Sequence, residues 1–100
     1  MNHCTALQLS SNQRIIIPED ENCWQSSIQS QLPDTPNELT KIIVICKSQM
    51  DALQNCIQHL ETADELNDTY IKLQIEYRYI SEAVIQAEIK FGKFIAPNFL

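Results

Sequence analysis

Glycine is nearly absent from this chain: Gly92 is the one glycine in 100 residues, where average usage would supply about seven. Phosphate-cradling loops and tight hairpin turns draw on glycine for positive φ angles. The shortage therefore excludes Gly-rich nucleotide loops and disfavours a glycine-turned β-sandwich. Cations are scarce as well, with seven Lys and Arg against thirteen Asp and Glu and a net charge of −6. Nucleic-acid backbones and anionic membrane surfaces call for clustered Lys and Arg, so neither is an expected partner. No apolar run approaches the roughly 20 residues that span a bilayer. The first residues also lack the basic stretch followed by an apolar one that marks a signal peptide. With four cysteines and no visible leader, the expectation is free thiols and a cytoplasmic location.

Conventional site chemistry is equally thin. Two histidines are present, and His3 stands beside Cys4 while Cys56 and His59 are spaced to share a helical face. Zinc sites, however, show two closely spaced ligand pairs. Cys46 and Cys56 read instead as small hydrophobes on the apolar side of a helix. No Ser or Cys stands at a motif spacing from a histidine base, and acidic neighbours such as Asp64 and Asp68 suit helix capping. The chain is thus expected to bind rather than catalyse, with no metal and no cofactor.

What the sequence does contain is helical periodicity. Pro33-Asp34-Thr35-Pro36 divides a polar N-terminal segment, 1–34, from a helical hairpin domain, 35–100. Within the first, residues 1–12 read as disordered, 13–17 as an extended docking segment, and 19–32 as a short helix with Trp24, Ile28 and Leu32 on one face. Thr35, Pro36 and Glu38 form a helix start, with a capping hydroxyl, a proline at the first helical position and an acid at the third. Leu39, Ile43, Cys46, Met50, Leu53, Ile57 and Leu60 then follow at alternating spacings of four and three, a heptad seam. A second seam runs through Ala63, Leu66, Tyr70, Leu73, Tyr77, Ile80, Val84, Ala87, Phe91 and Phe94. The two are out of phase around Leu60, Ala63 and Leu66, which predicts a turn there. Asp68 is the expected N-cap of the second helix, and Gly92 with Pro97 mark its end. The spacing predicts helices over 36–61 and 68–92.

The fold class is therefore all-α: an antiparallel helical hairpin with a partly disordered N-terminal segment, assembling into a multi-helix bundle. A small α+β chain, strand–helix–strand–helix, competes. The β-branched run 42–46 suits a buried strand, with Ser48 and Asp51 capping a helix over 49–62, and 71–79 alternates with period two.

The feature with functional content is the second helix, which is apolar on two sides. Besides its seam it carries Ile71, Ile75, Ile85 and Ile89, a stripe centred roughly 150° away at 100° per residue. Arg78 lies in the middle of that stripe, with Glu82 one turn on as an intrahelical partner or a register-setting group. A two-helix hairpin buries one stripe and leaves the other wet, and a patch of that kind marks an interaction surface. Either the N-terminal segment folds back over it or a second chain covers it. The expected partner-binding residues are Ile71, Ile75, Arg78, Ile85 and Ile89, with Tyr70 and Tyr77, whose rings suit an interface. The expected role is a small acidic protein–protein interaction module: a dimerising subunit, an adaptor or a chaperone. The alternative is an acidic inhibitor that blocks a basic cleft by charge mimicry, using Glu19, Asp20 and Glu21 and the group Glu61, Asp64, Glu65 and Asp68.

Overall fold

The computed structural model describes residues 5–10, 13–63 and 68–95. Two strands, β1 (Thr5–Ser10) and β2 (Gln13–Ile17), are followed by a 3-10 turn at Glu21–Cys23 and three helices. The helices are α1 (Trp24–Gln31), α2 (Pro36–Ala63) and α3 (Asp68–Ile95). The two long helices pack antiparallel, and the strands and α1 lie across one side of that hairpin. The segments 42–46 and 71–79, strand candidates by composition, are both helical. Each segment lies inside a longer heptad seam, Leu39 to Leu60 and Tyr70 to Phe91, and burial along those seams overrides the local β-branched run and the local alternation.

Local chemistry accounts for the α2 start. Thr35 Oγ1 accepts from the Glu38 backbone N–H at 3.4 Å, and the Thr35 carbonyl accepts from Leu39 N–H at 3.0 Å. Along α2 the expected seam is inward: Leu39, Cys46 and Ile57 are buried, while Ile43, Met50, Leu53 and Leu60 are half-buried. The seam of α3 answers it with Ile80, Val84 and Ala87 buried and Leu73, Tyr77 and Phe91 half-buried. Gly92 corrects the expected boundary. It lies inside α3, which continues to Ile95, because one glycine costs a helix only about 1 kcal/mol and does not stop it. Pro97, the turn residues Asp64 and Glu65, and His3 with Cys4 lie outside the described residues.

The N-terminal segment brings a second correction. Residues 5–10, expected to lack order, form β1 and pair antiparallel with β2, with Leu7 opposite Ile15 and Thr5 opposite Ile17. Alternation explains the pairing: Leu7, Leu9, Ile15 and Ile17 point into the core while Ala6, Gln8, Arg14 and Ile16 point out, the period of two that a half-buried strand requires. The hairpin forms without a glycine in its connection. α1 adds Trp24 and Ile28, and Leu32 follows, to complete a core shared with Leu39, Ile42, Cys46, Ile80, Ala83, Val84 and Ala87. Both edges of this small sheet are blunted by glutamines. Gln31 accepts from Ile16 N–H and donates to Ile16 C=O, each at 2.8 Å, and Gln49 donates to Gln8 C=O at 3.3 Å.

Candidate functional site

α3 presents three faces. One meets α2. A second carries Tyr79, Ala83, Gln86 and Lys90 beneath the N-terminal layer. Gln86 is buried and fully engaged: Gln29 Nε2 donates to its side-chain oxygen at 2.9 Å and to its backbone carbonyl at 2.8 Å. Lys90 closes the C-terminal end of α1, donating to the Leu32 carbonyl at 2.9 Å and pairing with Asp34 at 2.9 Å. A cation is favourable there because the last carbonyls of a helix carry its negative pole.

The third face is left exposed by the described residues. Ile71, Ile75, Ile85 and Ile89 keep 48%, 45%, 46% and 42% of their surface exposed. The N-terminal segment does fold back on the hairpin, but onto the neighbouring side of α3. Its apolar residues share one buried core with Leu39, Ile42 and Cys46 of α2 and with Ile80, Ala83, Val84 and Ala87 of α3, and those last four lie roughly 120° or more from the centre of the isoleucine stripe. Tyr70 and Tyr77 are half-buried toward the α2 side, so of the expected binding residues they border the open face rather than form it. The Tyr70 hydroxyl accepts from Gln74 Nε2 at 2.9 Å.

Arg78 departs from its expected pairing with Glu82. Its Nη2 meets Glu21 at 2.7 Å, and its guanidinium stands 5.2 Å from the centre of the Trp24 ring. Trp24 is itself fixed, donating from Nε1 to the Pro18 carbonyl at 2.7 Å and meeting Tyr79 edge-on at 5.3 Å. A tryptophan face attracts a cation through its quadrupole, and a carboxylate at its rim completes the hold. Spacing rules reach only neighbours on one helix, so they could not find Glu21 and Trp24. The signal was the run Glu19-Asp20-Glu21 just ahead of a lone tryptophan. Of the acids considered for charge mimicry, Glu21 is paired with Arg78, and Asp20 accepts from Asn22 N–H at 3.0 Å at the start of the 3-10 turn. Asp64 and Glu65 lie outside the described residues.

The cysteines divide. Cys46 is fully buried, and burial pushes its thiol up to about 11. Cys56 is exposed, which corrects its assignment as a buried hydrophobe: it stands roughly 70° around α2 from the inward line of Leu53, Ile57 and Leu60. Among the described residues no group of three or more His, Cys, Asp or Glu is placed to hold a metal ion. No helix among them is long and apolar enough to cross a membrane. Two long antiparallel helices with a strand-and-helix layer on one side and an isoleucine face on the other define the class of protein. Compared with protein-family models, with curated proteins and with solved structures, the chain matches none.

Proposed function

We propose that the protein is a protein–protein interaction module whose working surface is the isoleucine face of α3. The observation that carries this reading is that the described N-terminal residues have folded back on the hairpin and the four isoleucines still keep 42% to 48% of their surface exposed. Full burial of an isoleucine is worth about 1.5–3 kcal/mol, so each half-exposed one holds roughly 1 kcal/mol in reserve. Four such residues in line, with Arg78 at the centre, suit a helical partner laid along the groove. A dimerising subunit, an adaptor or a chaperone would each use the surface in this way. The free thiols of Cys23, Cys46 and Cys56 fit a reducing, cytoplasmic setting.

The test is Ile75→Glu combined with Ile85→Glu, followed by size-exclusion chromatography with light scattering, on the purified chain and on the chain in cell extract. The native chain is expected in a complex heavier than 11.5 kDa, and the variant at the single-chain mass with an unchanged helical circular dichroism spectrum. An unchanged complex would refute the reading, and loss of helicity would assign these isoleucines to the inner core. Binding through this face persists in 1 M salt, whereas a charge-mimicking inhibitor would lose its target steeply as salt rises.

A further inference from the structure

The isoleucine face carries a symmetry that identifies its occupant. Ile71, Ile75, Arg78, Glu82, Ile85 and Ile89 are spaced four, three, four, three and four, the spacing of a coiled-coil seam. It is a second seam on α3, separate from the one that meets α2. The pattern is also palindromic about residue 80: Ile71 mirrors Ile89, Ile75 mirrors Ile85, and Arg78 mirrors Glu82. The outer pairs match apolar with apolar, and the central pair matches opposite charges. A two-fold contact requires a patch of this self-complementary kind, in which residue i meets j and j meets i. Resting on the interaction-module reading above, we propose that the occupant is a second copy of this chain, with its α3 antiparallel to the first and a two-fold axis level with Ile80.

In that alignment the isoleucines form four layers, Ile71 on Ile89 and Ile75 on Ile85, each occurring twice. The two central layers set Arg78 of each copy against Glu82 of the other. Other alignments lose this match. A parallel, in-register pair places Arg78 on Arg78 and Glu82 on Glu82. An antiparallel pair slipped by one heptad places Arg78 on Ile89 and Glu82 on Ile85, stranding both charges in an apolar seam. A polar pair in such a seam contributes little to stability but selects register and orientation. The four isoleucines stay 42% to 48% exposed, and Glu82, half-buried, accepts from Gln86 Nε2 at 3.4 Å through one carboxylate oxygen, a long bond that leaves the other oxygen to meet Arg78 of the second copy. Glu21 engages Arg78 at Nη2, and the guanidinium fork presents five donors, so Glu82 of the second copy joins the existing pair rather than displacing it.

The full chain is measured by sedimentation equilibrium. It is expected at twice 11.5 kDa. Arg78→Glu and Glu82→Arg each weaken association at least tenfold, and an equimolar mixture of these two variants restores the dimer, because each supplies the charge the other lacks. For orientation, Cys4, Cys23 and Cys56 are changed to Ser, and Ile71→Cys and Ile89→Cys chains are treated with a short bismaleimide. The mixture cross-links, and neither alone does, because equivalent positions lie about 27 Å apart along the antiparallel pair at 1.5 Å per residue. A native chain that stays at 11.5 kDa up to hundreds of micromolar overturns the second copy and leaves the face to a different protein. Cross-linking of Ile71→Cys to itself overturns the antiparallel arrangement, as does a mixture of the charge variants that fails to associate. Dimerisation untouched by Ile75→Glu with Ile85→Glu instead sinks the reading of the face itself. Should a charge variant lose helicity, the cross-linking arm decides.

Discussion

Cys46 shows what one buried side chain imposes on the molecule. Its thiol is held near 11 by desolvation, against 9.0 for an unperturbed one. Between those values the folded chain keeps a proton that the unfolded chain gives up. The stabilisation is therefore complete below pH 9 and is lost as pH rises toward 11. Two pK units correspond to a loss on the order of 2–3 kcal/mol. Denaturant unfolding at pH 8 and pH 10.5 should show this fall in the native chain. Cys46→Ala should start less stable, through the cavity it leaves, and show a shallower decline, with tyrosine and lysine titration common to both proteins. Cys23 and Cys56 are exposed, so a thiol reagent applied to the folded chain should modify both while sparing Cys46.

At the scale of elements, the long helices start and stop for different reasons. Thr35 caps α2 through a long bond of 3.4 Å, so Thr35→Ala should cost only about 0.5–1 kcal/mol, at the low end for a cap. α3 runs through its glycine. A methyl group added at Gly92 would meet nothing within 4 Å, and no glycine here has positive φ. Gly92→Ala should therefore raise stability by about 0.5–1 kcal/mol, read from the urea midpoint, since alanine loses less backbone entropy in a helix. The strands follow a different logic. Leu7 and Leu9 are recognisable as one face of a strand only once Ile15 and Ile17 are there to pair with. Gln31 and Gln49 then occupy peptide groups along both edges, so this sheet does not offer itself for strand addition.

At the scale of the molecule, two kinds of isoleucine must be separated. Ile28 is completely buried between α1 and the hairpin, and Ile28→Ala should cost about 2–5 kcal/mol. The loosened layer should shift the fluorescence of Trp24, the only tryptophan, toward the red. Ile89→Ala, on the open face, should change the stability of the dilute single chain by less than about 1 kcal/mol. Measured side by side, the two variants separate the residues that hold the chain together from those available to another chain.

The hairpin, the start of α2 at Thr35 and Pro36, and the isoleucine stripe were all legible in the sequence, because each rests on contacts within a few residues. Heptad spacing and cap chemistry are local facts, and helices are built from local bonds. What only the tertiary structure decided is which side of α3 the N-terminal segment would cover. Trp24, Ile28 and the strand residues could have dried either apolar stripe. They took neither: the layer lies over Tyr79, Ala83, Gln86 and Lys90, between the isoleucine stripe and the seam that meets α2, where Gln86, Lys90 and Arg78 supply Gln29, the end of α1 and Glu21 with partners. That choice depends on groups far apart in the chain, each of which must be satisfied in the same arrangement, and no periodicity records it.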